Sequence, residues 1–341
     1  MTETTRKPEE APKLKLVQDD GWLEPYSEQI MQRYQYHKQV LAELEKHYGS
    51  LEKFASAHHF LGFNYDKKQK GWYYREWAPG ANALYLIGDF NDWDRSATPL
   101  FRKENGIWEV FLDDKTFKNK LVHGSLLKVM VVGRTGSRDR IPAFISRLKQ
   151  NEETHDFAGQ FWNPPKAFGW TDQQFDHTTQ GELYISECHT GMGTEAERVG
   201  TYREFADDVL PRVKKLGYNA IQMMAVQEHP YYGSFGYHVS NFFAPTSRFG
   251  TPEDLKYLIN KAHNLGLTVI MDIVHSHAVK NLNEGLNEFD GTDYQYFHAG
   301  SRGTHEAWDS KLFNYGKWEV MQFLLSNVRY WLEEFHFDGF R

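Results

Sequence analysis

One cysteine, Cys188, is the only thiol in 341 residues. No disulfide can form within the chain, which suits a reducing compartment. No apolar run approaches the roughly 20 residues of a membrane span. Residues 1–20 mix both charge signs and lack the apolar core of a secretory signal. A cytoplasmic chain without a membrane partner is therefore expected. Basic charge is also short, with 39 Lys and Arg against 46 Asp and Glu, a formal net charge of −7. This argues against nucleic acid as a partner, because phosphate binding needs a basic face. The glycine-rich phosphate turn of dinucleotide-binding folds is missing too: Gly191-Met192-Gly193 begins one that nothing completes.

Aromatic residues are abundant, with 10 Trp, 19 Tyr and 24 Phe making 16% of the chain. Such rings serve either as core or as platforms for the C–H faces of sugars, and composition does not choose between the two. Hydrophobic content of 40% with 25% charged residues is that of a folded, globular protein. The length suits about two domains.

Three regions differ in pattern. Residues 1–65 begin with a mobile tail of about 20 residues, followed by a helix over Tyr26–Tyr48 and a shorter one over Leu51–His59. This piece is too small to stand alone and is expected to pack on the region after it. Residues 66–165 alternate in short stretches, Gly71–Trp77, Ala83–Ile87, Ile107–Leu112 and Leu126–Val132, separated by turn residues, which predicts an all-β sandwich. Residues 166–341 alternate buried strands with helices. The strands are Leu183–Cys188, Ala220–Val226, Leu267–Val274 and Phe337–Arg341; the helices are Tyr202–Leu216, Thr251–Leu265 and Lys317–Phe335. That order predicts a parallel sheet with right-handed crossovers. The long loops after its strands favour the first half of a (β/α)8 TIM barrel over a doubly wound sheet, since barrels keep their chemistry on such loops.

One cluster of chemistry stands at the end of the third of these strands: Asp272-Ile273-Val274-His275-Ser276-His277. Two imidazoles and a carboxylate could hold zinc, could grip hydroxyl groups of a polar substrate, or could merely cap the next turn. Spacing leaves all three open. Cys188 beside His189 could be a nucleophile pair, but neighbours on a strand face opposite ways, so Cys188 reads as core.

The spacing Asp272-x-x-x-Ser276-His277 followed by Asp338-Gly339-Phe340-Arg341 resembles the first two signatures of the alpha-amylase superfamily, in the right order. The segments Glu228–Tyr237, Arg248–Glu253, Phe289–Asp293 and Arg302–His305 are similar to branching enzymes of the eukaryotic type, and this resemblance runs from about residue 25 to Arg341. It implies a retaining transfer on α-1,4-glucan that creates α-1,6 branches, by way of a covalent glucosyl-enzyme. It implies that Arg341 orients a nucleophilic Asp two residues beyond the chain, that His277 bonds sugar hydroxyls, that Tyr237 stacks under the same ring, and that Asp272 braces the cluster. His229 and His238 are implied substrate contacts; the family often has Gln where His238 stands. Ser276 replaces the Asn that binds calcium in related amylases, so neither metal nor cofactor is expected. Because all three reacting carboxylates would lie past Arg341, the 341 residues alone are expected to be inactive and poorly soluble.

The sandwich carries its own resemblance, through Arg75–Ala81 and Leu86–Trp93, to the glucan-binding module that precedes the barrel in branching and debranching enzymes. It implies glucan contacts at Trp77, Pro79, Trp93 and Lys128, with Trp318 and Glu319 as further candidates on the last helix. For Trp77, packing between domains is the competing role. The expected partner is a glycogen-like or starch-like glucan, and the expected state is a monomer. The alternatives are an α-glucan hydrolase, either debranching enzyme or amylase, and a non-catalytic glucan-binding protein.

Overall fold

The computed structural model describes residues 14–341, which divide by contact into two units meeting at Ala55 and Ser56. Most of the expected tail lies outside the described residues; Lys15–Asp19 is a short helix rather than tail, joined end to end by an exposed Lys15–Asp19 ion pair. The long helix runs Ser27–Tyr48 and stops where Gly49 takes φ +84° and returns its N–H to the Glu45 carbonyl. Glycine adopts that left-handed conformation at least cost. The expected helix Leu51–His59 is broken in two. Leu51–Phe54 is helical, with the Ser50 hydroxyl capping Lys53 N–H, but Ala57–His59 is a separate 3₁₀ turn. The reason is local: Ala57 N–H donates to Ser326 Oγ at 2.9 Å in a buried contact instead of to a helical carbonyl.

The second unit opens with the sandwich. Its strands are β1 (Gly62–Asp66), β2 (Gly71–Trp77), β3 (Ala83–Gly88), β4 (Phe101–Arg102), β5 (Ile107–Asp113), β6 (Leu126–Gly133), β7 (Gly136–Arg140), β8 (Leu148–Gln150) and β9 (Phe157–Gln160). One antiparallel sheet has the order β1-β2-β5-β4. The other has β3-β6-β9-β8, with β7 also paired to β6. Strand β5 shows why they stack: Trp108, Val110 and Leu112 alternate inward and are buried, while their neighbours face out.

The remaining strands are β10 (Ile185–Cys188), β11 (Ala220–Met223), β12 (Gln227–Glu228), β13 (Asn241–Pro245), β14 (Thr268–Met271), β15 (His277–Val279), β16 (Thr304–His305), β17 (Ser310–Leu312) and β18 (Gly339–Phe340). Strands β10-β11-β14-β18 form a parallel sheet in that order. Each is shorter than its apolar run suggests. After Met223 the residues Ala225 and Val226 stay buried, but the chain leaves the ladder so that Gln227–Glu228 can pair with β13. After Met271 it bends away at Asp272. The helix Pro252–Asn264 has a reciprocal cap between Thr251 and Asp254, with proline in its first turn. The helix expected over Tyr202–Leu216 contains a π stretch, Phe205–Val209, just ahead of Pro211, which brings no N–H to a regular ladder.

Two cores result. One lies between the parallel sheet and its helices. The other is continuous from the sandwich into the loops at the sheet's C-terminal edge. At that seam Trp77 meets Tyr296 edge to face, with centroids 5.2 Å apart, and Gly80 N–H donates to Asp290 Oδ2 at 2.6 Å. Arg140, fully buried, reaches the Gly285 and Asn287 carbonyls at 3.0 and 2.7 Å. The sandwich is thus fastened to the loop segment 285–296, which leads on toward one wall of a cleft at the same edge.

Candidate active-site cleft

The bend at Asp272 carries its side chain out of the sheet's end into a cleft of about 810 Å³. Tyr237, His238, Asp272, Ser276, His277, Trp308 and Arg341 are among its lining residues. Asp272 is its buried pivot. The Tyr237 phenol donates to Asp272 Oδ2 at 2.6 Å, and the Arg341 guanidinium forms an ion pair with the same oxygen. Two donors on one oxygen of a buried carboxylate make short, charge-assisted bonds. Burial, then the Asp272 bond, pushes the Tyr237 phenol up to about 12, so it remains a donor. The hydrogen bond to Asp272 raises Arg341 further above its usual value, and the side chain stays partly open to solvent.

His277 begins β15. Its Nε2 lies 2.9 Å from the Tyr237 carbonyl, and its Nδ1 lies 2.9 Å from Ser276 Oγ. A carbonyl only accepts, so Nε2 carries the proton and Nδ1 takes one from Ser276. Burial lowers its pKa and keeps this ring neutral near pH 7. His275 turns away from the cleft. Its Nε2–H donates to Asn327 Oδ1 at 2.9 Å, and burial pushes it down to about 4. The three groups weighed as a zinc site therefore do not converge.

The structure gathers Tyr237, His238, Asp272, His277 and Arg341 in the cleft and leaves the other candidates elsewhere. His229 is fully buried beneath the loop, with Nδ1 at 2.9 Å from the Gln227 carbonyl. Its neighbour Glu228 is also fully buried and accepts from Thr246 Oγ1 and Ser247 N–H, which pins the loop that presents Tyr237. Trp77 and Pro79 sit at the seam: Trp77 is buried, and its carbonyl accepts from the Gln295 amide. Trp318 and Glu319 start the helix Trp318–Phe335, and Glu319 borders a small hollow beside Trp77 and Tyr296. Trp93 sits at φ +57° after the β3 turn, 37% exposed, and its indole N–H donates to Asp89 at 3.0 Å. Lys128, paired with Ile87, borders a different, charge-lined hollow with Arg95, Arg138 and Asp139. Cys188 is half-buried, and burial pushes its thiol up to about 12, which leaves it unreactive.

One cleft residue has no counterpart among the candidates drawn from sequence. Trp308 is 52% exposed, stacks on His305 at 4.3 Å and 14°, and stands 5.2 Å from the His277 ring. Its signal is there in principle: a lone Trp in a polar loop, followed by Asp309 at φ +48°.

Comparison with known proteins gives this geometry a class. Residues 60–145 match "Carbohydrate-binding module 48 (Isoamylase N-terminal domain)", and residues 192–311 match "Alpha amylase, catalytic domain". Solved structures agree in fold. A putative alpha amylase from Salmonella typhimurium superposes with TM-score 0.66 at 23% identity, over 83% of this chain and 43% of that one. The Group B Streptococcus pullulanase SAP gives 0.65 at 20%, over 82% and 41%. The chain thus resembles the alpha-amylase superfamily over two stretches, a sandwich module ahead of part of a catalytic domain.

Over nearly its whole length it is also similar to several 1,4-alpha-glucan-branching enzymes. The one from Dictyostelium discoideum is 51% identical over 329 residues, 96% of this chain and 48% of its own length. The chloroplastic/amyloplastic enzyme 2-2 of Arabidopsis thaliana is 50% identical over 96% and 40%, and that of Equus caballus 43% over 96% and 47%. The chain spans about half the length of the curated relatives it matches. Among the described residues, no helix is long and apolar enough to cross a membrane.

Proposed function

We propose that this chain is the N-terminal portion of a 1,4-α-glucan branching enzyme, and that its cleft seats the glucose unit at the point of chain cleavage. The observation that carries the reading is the grouping of Tyr237, His277, Asp272 and Arg341 at the C-terminal ends of parallel strands, where barrel enzymes work. In this reading the four parallel strands are the first half of a (β/α)8 barrel. The Tyr237 ring supports one face of the sugar, and the neutral His277 and its partner Ser276 meet its hydroxyls. Arg341, already fixed by Asp272, holds the carboxylate that attacks the anomeric carbon and keeps it ionised.

The reaction is a retaining transfer, with a carboxylate nucleophile and a carboxylic acid/base. The glucosyl-enzyme must meet a chain hydroxyl before it meets water. A sandwich that holds long glucans serves that need, through Trp93 and Lys128 at separate points. A monomer in the cytoplasm, or in a plastid as the Arabidopsis relative's name says of that protein, completes the proposal. The 341 residues by themselves are proposed to lack activity: Asp272 braces Tyr237 and Arg341, and this reading places the nucleophile and the acid/base outside these residues.

The test uses a polypeptide that continues this chain to the length of its relatives, incubated with amylose. New α-1,6 linkages, counted by proton NMR, are the expected outcome. Release of reducing sugar without new branch points would instead assign a hydrolase, and binding without either product a non-catalytic glucan binder.

A further inference from the structure

Far along the sequence from any cleft residue, the 3₁₀ turn Ala57–His59 brings two adjacent imidazoles against the last turns of the helix Trp318–Phe335. His58 Nε2 lies 3.4 Å and His59 Nε2 3.2 Å from the same oxygen, Glu333 Oε2. The two rings are 4.0 Å apart. One ligand atom from each of the three side chains falls within 4.8 Å of the others. We propose that His58, His59 and Glu333 bind one zinc ion, a structural site that fastens the start of this unit to the helix Trp318–Phe335.

Three observations carry it. First, the two nitrogen–oxygen spacings, 3.4 and 3.2 Å, fit: zinc bonded at about 2.0–2.1 Å to nitrogen and oxygen sets tetrahedral ligand atoms about 3.3 Å apart. Second, His58 is wasted without an ion. Its side chain is 9% exposed, and neither ring nitrogen makes an aligned hydrogen bond, the Glu333 contact included. A buried imidazole with no partner is costly. Third, the carboxylate is oriented from behind. Arg329 Nε donates to the other oxygen, Glu333 Oε1, at 2.7 Å, which aims Oε2 at the imidazoles in the way outer partners orient metal ligands. The Arg329 charge opposes a cation and so sets an upper limit on affinity. Water completes the fourth position. Zinc rather than calcium or magnesium follows from two nitrogen ligands with a single oxygen.

The lock has a structural purpose. The segment entering this unit is held to the helix by the Ala57 N–H bond to Ser326 and by an Arg329–Ser56 contact. A bound ion adds a third tie at the same place. The inference is independent of the glucan reading, and its failure would leave that reading untouched.

The experiment treats the full chain with EDTA, removes the chelator, and measures zinc uptake by equilibrium dialysis with elemental analysis. One zinc per chain is expected, with a rise in melting temperature of about 5 °C at saturating metal. Cobalt in its place should give the intense visible absorption of a tetrahedral ion. The exposed His59 is replaced as His59→Ala, with Glu333→Gln as the second variant. Each should abolish uptake and the cobalt spectrum, while His37→Ala, on an exposed helix position, leaves both unchanged. Absence of uptake by the unaltered chain, or equal uptake by His59→Ala, overturns the proposal.

Discussion

The Tyr237 phenol donates to Asp272 at 2.6 Å across 35 residues of sequence, and it shares the accepting oxygen with Arg341. The first prediction separates the two jobs this makes for Tyr237. Tyr237→Phe removes a hydrogen bond to a buried charge and should cost about 1.5–3 kcal/mol of stability in a denaturant titration. It should leave maltooligosaccharide affinity nearly unchanged, because the ring remains. Tyr237→Ala should lose both. Equal loss of affinity in the two variants would remove the ring-stacking role.

Trp308 offers a cleaner test of sugar binding, since its half-exposed ring contributes little to the core. Trp308→Ala should weaken maltooligosaccharide binding about tenfold by calorimetry, with an unchanged melting temperature. Unaltered affinity would exclude the indole as a platform.

The third prediction concerns pH. His263 is held between two carboxylates, its Nδ1 at 2.9 Å from Asp172 and its Nε2 at 3.0 Å from Asp338. Burial pulls its pKa down, but the bonds and charges of Asp338 and Asp172 outweigh it, and the net shift is upward. Asp172 is the counterpart: burial opposes its charge, the two histidines outweigh this, and its pKa falls. A raised folded-state pKa gives stability that is fully present below the unfolded value of about 6.5 and is lost as pH rises through the folded value. The urea midpoint should therefore decline above about pH 6.5, and His263→Gln should flatten that decline. A profile of identical slope in the variant would show that the cluster is not the source. Asp172 adds the opposite arm, stability lost as pH falls below about 4.

The seam supplies the fourth. Gly291 sits at φ +87°, and a Cβ there would stand 2.9 Å from the Gly133 Cα. Gly291→Ala should cost about 1–3 kcal/mol, from backbone strain and the forced retreat of β6's end. Arg140→Ala nearby would disturb the same seam differently, by stripping partners from two carbonyls. A Gly291→Ala melting curve superimposable on the parent's would contradict the contact.

Much of this is readable along the chain. Strand Gly71–Trp77 follows from alternation, and the cap at Thr251 from four consecutive residues, because both depend only on neighbours. The cluster at Asp272 announces itself through composition at a strand's end. Spacing leaves direction open. Asp272, His275 and His277 lie within six residues of one another, yet His275 turns to Asn327 while the other two face the cleft. His229 stands in a stretch that resembles a sugar-binding loop and is packed under it.

The sequence by itself determined the order of elements, the sandwich ahead of the parallel sheet, and the residue types available for sugar chemistry, since periodicity and capping are local properties of the chain. The tertiary structure decided which side chains meet. Tyr237, Asp272 and Arg341 converge because β14 and β18 pair in parallel and the loop held by Glu228 folds back over their ends. His58 and His59 face Glu333 across 275 and 274 positions because the chain buries Ala57 against Ser326. Such meetings depend on loop closure and burial summed over the whole unit, which no short window of sequence contains.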